Sequence, residues 1–250
     1  MDCSISYVIQ DSATTHPRGP WPEHLHLAEL RYAYNAETLQ DLQLEGIALP
    51  DEIRRAVLKR RIDFAAGRLC ARRALQAAGC GLPIELTIDA DRAPVWPVGY
   101  VASISHCDGM AMALAASTKE VASIGLDLEQ VVSAEVSREI QSHVANPIEL
   151  ALGNEQALPH EVWMTLLFSA KESLYKALYP SVGRFFEFSD AEADQLDAEA
   201  GTLRLRLLSD LSPQCREGMG YRIGFRFLED RVLTCCVVPT LPAALISPSP

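Results

Sequence analysis

The chain has 250 residues, 48% of them hydrophobic and 22% charged, with a formal net charge of -11. That length supports a substantial core in one large domain or two small ones, and the composition is globular rather than disordered. Net acidity argues against a nucleic-acid protein, because phosphate backbones demand net or concentrated positive charge.

Residues 11–26, with Pro17, Gly19, Pro20 and Pro22, read as an irregular lead-in, and the tail from Pro239 to Pro250 is rich in Pro and Ser. No charged-then-apolar leader opens the chain, and no apolar run approaches the roughly 20 residues of a membrane helix, so the cytoplasm is the expected location. From Pro50 the spacing predicts an amphipathic helix to about Ala78, ended by Gly79 and Gly81. Its apolar stripe includes Ile53, Phe64, Ala71 and Leu75. Between Arg54 and Arg73, Asp63 is the sole acid, so this stretch carries +7 and the remainder -18. A focused basic patch on an acidic protein suits a small polyanion or an acidic partner surface; the plain alternative is a solvated helix face. The seven cysteines include no Cys-x-x-Cys and read as reduced, mostly buried thiols.

Strand-like runs follow near Val101–Ser105, Ala111–Ala116 and Val121–Glu129. Before them, Asp91-Arg92-Ala93-Pro94-Val95-Trp96-Pro97 sets an arginine and an indole in a loop. At Ser103-Ile104-Ser105-His106 the chain leaves a strand, where His106 serves either as a hydrogen-bonded structural residue or as a donor to a ligand phosphate. Neither Gly-x-x-x-x-Gly-Lys-Ser/Thr nor Gly-x-Gly-x-x-Gly occurs, so any nucleotide is held by side chains. The stretch from Ser133 to His160 is helical in parts. A second amphipathic helix starts near Pro159 and stops before Pro180, and strand-like runs Leu203–Leu208, Tyr221–Phe227 and Val232–Val238 come after it.

Helix then three strands, twice, predicts an α+β protein of two similar halves related by a pseudo-twofold, residues 1–119 and 120–250. Each half is a helix packed on a small antiparallel sheet, with a cleft between them. On the second helix Phe168, Glu172, Tyr175 and Lys176 lie opposite the apolar stripe and are expected to line that cleft, unless the two aromatics merely pack against a neighbouring loop.

Asp127 and Glu129, two apart on a strand, project to one face. With Glu172 they would offer an oxygen cage for a hard divalent cation. Carboxylates about 4 Å apart repel by roughly 4 kcal/mol at an effective dielectric near 20, so such a trio needs cations. One Mg²⁺ and Lys176 would bring it to zero. The plainer reading is a solvated strand edge and an ordinary i,i+4 pair between Glu172 and Lys176.

Taken in order, Gly67-Arg68-Leu69-Cys70-Ala71-Arg72, Ala93-Pro94-Val95-Trp96-Pro97, Ser103-Ile104-Ser105-His106, Ile124-Gly125-Leu126-Asp127-Leu128-Glu129 and Phe168-Ser169-Ala170-Lys171-Glu172-Ser173-Leu174-Tyr175-Lys176 resemble the surfactin- and enterobactin-type 4′-phosphopantetheinyl transferases, in their broad-range bacterial branch. The resemblance implies an enzyme that binds coenzyme A with Mg²⁺ or Mn²⁺ between its halves. It would move phosphopantetheine to a serine of an acyl or peptidyl carrier protein, releasing adenosine 3′,5′-bisphosphate, in fatty-acid, siderophore or secondary-metabolite synthesis. By the same resemblance Asp127, Glu129 and Glu172 are metal ligands, Glu172 or a water it holds is also the base, and Lys176 steadies the diphosphate. Arg92, Ser105 and His106 lie near the nucleotide phosphates, and Lys59, Arg60, Arg61 or Arg68 supplies further positive charge. Phe168 stands where many relatives have tryptophan. The alternative is a non-catalytic paralogue that binds coenzyme A or a carrier. No membrane or nucleic-acid partner is expected, and a monomer suffices.

Overall fold

The computed structural model describes residues 21–84, 86–89 and 93–240. Arg92, most of the predicted lead-in and nearly all of the tail lie outside the described residues. The chain builds β1 (His26–Arg31), α1 (Ala36–Leu44), α2 (Asp51–Arg54), α3 (Leu58–Ala77), β2 (Tyr100–Cys107), β3 (Met110–Ser117) and β4 (Val121–Gln130). It continues with α4 (Ala134–Val144), α5 (Pro147–Glu155), α6 (His160–Val182), β5 (Ala191–Asp197), β6 (Thr202–Leu207), β7 (Gly220–Leu228) and β8 (Arg231–Pro239). The strands form two antiparallel sheets, ordered β1-β3-β2 and β4-β8-β7-β6-β5. This is the expected α+β architecture, one long helix against each sheet.

Alternation along β3 explains how the layers stack. Ala111, Ala113 and Ala115 face α3, where they meet Ala66, Ala71 and Leu75, while Met110, Met112 and Leu114 face the second sheet. Small residues on both sides let α3 lie close, and a Cβ on Gly67 would come within 2.8 Å of the Ile104 side chain. Between the sheets, Met112 and Leu114 pack with Leu126 and Leu128 of β4 and with Leu233 of β8. Each leucine buried there contributes roughly 2 kcal/mol of transfer free energy. The other face of the second sheet holds α6 through Trp163, Leu167, Leu174 and Leu178. The order is therefore helix, sheet, sheet, helix.

Four details differ from the periodicity reading. The run from Pro50 is two helices, because Val57 is extended at φ -60° and ψ 154°; an apolar stripe continues across one extended residue, so spacing does not register the break. The third strand-like run, β4, pairs with β8 in the second sheet rather than with its sequence neighbours. Two further strands appear, β1, which begins at the last residue of the expected lead-in, and acidic β5. In β1 only Ala28 and Leu30 are deeply buried, and β5 consists mostly of Ala, Asp, Glu and Gln, which have little strand preference. Arg204 and Arg206 on β6 hold β5 by ion pairs to Asp194 and Glu192. Finally, α6 continues through Pro180 and ends at Gly183, whose φ of 66° is the left-handed conformation that closes a helix. Among the described residues no helix is long and apolar enough to cross a membrane.

Candidate active site

Strand β4 ends its sheet, so one edge of it lacks a strand partner. Two hydroxyls from β2 fill that role. Ser103 Oγ accepts from Leu126 N at 2.9 Å, and Ser105 Oγ accepts from Leu128 N at 3.1 Å. Being two apart, both serines point the same way from β2. Ser105 Oγ also donates to Asp127 Oδ1 at 3.1 Å, joining the two sheets at the acidic residue.

Helix α6 reaches the same point from the other side. Gly125 makes this possible, since a Cβ there would overlap the Ser173 carbonyl oxygen and come within 2.7 Å of Ala177 N. Ser123 Oγ donates to Ala177 O, and Ser169 and Thr234 are joined through their hydroxyls. One turn beyond Glu172, Lys176 Nζ donates to Asp127 Oδ1 at 2.7 Å and to Leu126 O at 3.0 Å. The ammonium therefore pairs with Asp127 across the interface and not with Glu172 along its own helix.

The three carboxylates share one electrostatic neighbourhood. Burial, and then the negative charge of Asp127, push Glu129 up to about 7 against the pull of Lys176, with Glu172 adding a smaller upward push. Glu172 is also raised, chiefly by burial and further by Asp127. Among the described residues, however, no three acidic, histidine or cysteine side chains stand close enough together to clasp a metal ion. The chemistry of the donors nonetheless fits a hard divalent cation. Asp127 is 3% exposed, and its Oδ2 is buried without a hydrogen-bond partner, an arrangement that costs free energy unless something positive meets it.

Beside this acidic group lies a basic one. His106, at the end of β2, is held below the usual histidine value, first by burial and then by Arg60, Lys176 and Lys59, against the opposing charge of Asp63. Thus α3 sets Lys59 and Arg60 within electrostatic reach of His106. Arg68 lies elsewhere on α3: it is 6% exposed, stacks over Phe64, and burial alone pulls its guanidinium down to about 10. With Arg72 it lines a separate cavity of 410 Å³ beside Ile47 and Leu86. Buried guanidinium atoms of Arg61 and Arg68 lack hydrogen-bond partners. The rest of the basic helix follows the plainer reading: Arg72 and Arg73 pair with Glu45, and Arg54 pairs with Asp51.

A cavity of 560 Å³ adjoins Lys176, lined among others by Trp96, Ser103, Ile124, Tyr175 and Tyr179. Phe168 does not reach it; its ring meets Phe188 edge-on at 5.5 Å. Tyr175 lines the cavity and packs on Phe185 and Phe186 of the following loop, so the loop-packing alternative holds for Phe168 and partly for Tyr175. Three groups escaped the sequence reading. Lys171 is buried in an ion pair with Glu149 at 2.8 Å and donates to Val144 O, fixing α4 and α5 against α6. Tyr32 and Tyr34 both donate to Asp63, and the Tyr-x-Tyr spacing directly after an alternating run was the available signal.

The chain is similar to known proteins along most of its length. Residues 49–116 match the family described as the 4′-phosphopantetheinyl transferase N-terminal domain, and residues 123–236 match the 4′-phosphopantetheinyl transferase superfamily. The chain is 39% identical to the 4′-phosphopantetheinyl transferase Svp of Streptomyces mobaraensis over 65% of its length and 67% of that protein. It is 30% identical to enterobactin synthase component D of Escherichia coli K12, over 89% of this chain and 98% of that one. To the 4′-phosphopantetheinyl transferase Npt of Nocardia iowensis it is 34% identical, over 62% and 71% of the two chains.

Proposed function

This chain belongs to the 4′-phosphopantetheinyl transferase superfamily and is an enzyme of its enterobactin and secondary-metabolite type, and we propose that it transfers 4′-phosphopantetheine from coenzyme A to a serine of an acyl or peptidyl carrier protein. The observation that carries the reading is the Lys176–Asp127 ion pair, with Glu129 and Glu172 within its electrostatic reach and the imidazole of His106 and the cations Lys59 and Arg60 close by.

In the proposed reaction the carrier serine Oγ attacks the phosphorus that bears the pantetheine arm. Its bond to the adenylate-side oxygen breaks, and adenosine 3′,5′-bisphosphate leaves. Glu172, raised above the ordinary carboxylate value chiefly by burial, is a stronger base than an exposed glutamate and so is suited to accept the serine proton. Lys176 offers an ammonium to the diphosphate while staying tied to Asp127. A divalent cation, Mg²⁺ or Mn²⁺, held by Asp127, Glu129 and Glu172 would supply positive charge where the diphosphate gathers negative charge. His106, Lys59 and Arg60 would form a second, anion-binding subsite, with Ser105 orienting Asp127. Arg61 and Arg68 are secondary candidates for phosphate contact. Arg92 stays in the proposal on the resemblance alone.

The proposed division of labour follows the two halves: residues 1–119 hold the coenzyme phosphates, and residues 120–250 carry the carboxylates and the lysine. One chain contributes both, so a monomer is sufficient. The six described cysteines are free, in keeping with a reducing cytoplasm. No observation favours a non-catalytic paralogue. The test is to incubate the protein with coenzyme A, Mg²⁺ and an apo carrier and weigh the carrier. A gain of one phosphopantetheine on its serine is expected; an unchanged mass would refute the reading.

A further inference from the structure

Lys59 is the most elaborately held cation beside His106. Its ammonium donates to Tyr34 Oη at 2.6 Å and lies 4.0 Å from the centre of the Tyr34 ring. Tyr34 Oη also accepts from Gly109 N at 2.9 Å and donates to Asp63 Oδ1 at 3.0 Å. A phenol hydroxyl has one hydrogen to give and two lone pairs to share, so its capacity is filled. Tyr32 Oη donates to the same Asp63 oxygen at 2.7 Å, and burial with that acid keeps Tyr32 protonated. The backbone closes the ring, because Tyr32 N donates to Gly109 O at 2.8 Å. One hydroxyl thus joins the loop after β1, the first turns of α3, and the β2–β3 turn that immediately follows His106 and Cys107.

A lysine stem has four rotatable carbons, and an unrestrained one loses that freedom when it meets a ligand. Here the freedom is already spent, although the Lys59 side chain remains 55% exposed and open to contact. Asp63 is 7% exposed and has one oxygen occupied by two hydroxyls, while Asp108 stands 3.6 Å from the ammonium at the exposed turn. Lys176, by contrast, is committed to Asp127 at the carboxylates. Coenzyme A carries two separate anionic groups, the diphosphate that is cleaved and a monophosphate on the ribose. If Lys176 serves the first, the cations at His106 fit the second.

We propose that Tyr34 is a positioning residue which holds Lys59 beside His106 to receive the ribose phosphate of coenzyme A. This rests on the transferase reading above. Its consequence is selective: Tyr34 matters for a substrate that has the ribose phosphate and not for one that lacks it.

The test compares Tyr34→Phe with wild type on coenzyme A and on 3′-dephospho-coenzyme A, using one apo carrier. The variant keeps the ring and loses the hydroxyl. With coenzyme A its KM rises by about tenfold, the scale of one charge-assisted contact, while kcat and the KM for the carrier stay within about twofold. With 3′-dephospho-coenzyme A, variant and wild type coincide. Lys59→Met, at an exposed side chain, shows the same selective rise and is available if Tyr34→Phe folds poorly. Combining the two is no worse than Lys59→Met alone, because Tyr34 acts through Lys59. An equal penalty on both substrates, no penalty with coenzyme A, or additive penalties would overturn the proposal. A wild-type protein that transfers nothing would instead defeat the transferase reading.

Discussion

Lys176 Nζ, on α6, lies 2.7 Å from Asp127 Oδ1, on β4, and this contact ties the helix that bears Glu172 to the strand that bears Asp127 and Glu129. Ser105 of the other sheet bonds the same oxygen, so three elements meet on one atom. Lys176→Met removes the cation and leaves Asp127 buried with only a hydroxyl partner. Transfer to a carrier should fall by about 100-fold or more, the usual effect of deleting a group that stabilises developing charge. A variant within threefold of wild type would place Lys176 in a purely structural role.

The orphaned Asp127 Oδ2 and the raised Glu129 and Glu172 predict that a divalent cation stabilises the free protein. At 100 times the dissociation constant, Mg²⁺ should add about 2.7 kcal/mol, an upward shift in melting temperature of roughly 5–10 °C for a chain of this size. Asp127→Ala should abolish the shift. If wild type and variant respond alike in a thermal melt, the cation binds elsewhere.

Acidification tests His106. Its folded value lies below the ordinary one near 6.5, so the neutral ring is favoured by folding. The stability this confers is present above the unfolded value and is lost as pH falls through the folded one. Wild-type melting temperature should therefore drop more steeply between pH 7 and pH 5 than that of His106→Gln. Parallel curves would show that the imidazole does not sense its buried surroundings.

Gly125→Ala forces a methyl group into the backbone of α6. We expect a loss of about 3 kcal/mol, read by denaturant unfolding, together with lower activity because β4 and α6 must separate. A stability unchanged by this substitution would mean the strand and helix are less closely seated than described.

Lys171 sits next to Glu172 in sequence, but its ammonium is buried with Glu149, whose side chain is fully buried. Lys171→Met should cost about 3–5 kcal/mol by removing that carboxylate's cation, and pairing it with Glu149→Gln, which is neutral yet keeps an acceptor for the backbone N–H groups of Asn146 and Ala193, should recover part of the loss. Because Lys171 faces the interior, the double variant should keep most of its activity per folded molecule. A catalytic defect that survives the double substitution would place Lys171 in the reaction itself.

The long helices and six strands were legible because their periods are strong, and Asp127-x-Glu129 was legible because spacing two fixes a shared strand face. Strands β1 and β5 were not, since their composition carries little strand preference and their stability comes from neighbours distant in sequence. The exchange of β4 into the second sheet was invisible for the same reason: alternation reports which faces are buried, not against what. At the site, charge counting paired Lys176 with the acidic group but could not choose Asp127 over Glu172. The Tyr34, Asp63 and Lys59 cluster unites residues 25 and 29 positions apart, a closeness only the folded chain provides.

The carboxylates and lysine at the junction of β4 and α6 are proposed to form the transfer centre. Labelling of an apo carrier by a fluorescent coenzyme A analogue with Mg²⁺, compared between wild type and Glu172→Gln, tests it most directly. The expected result is a rate at least about 100-fold lower with a melting temperature within a few degrees. Labelling at the wild-type rate by a folded Glu172→Gln protein would contradict it.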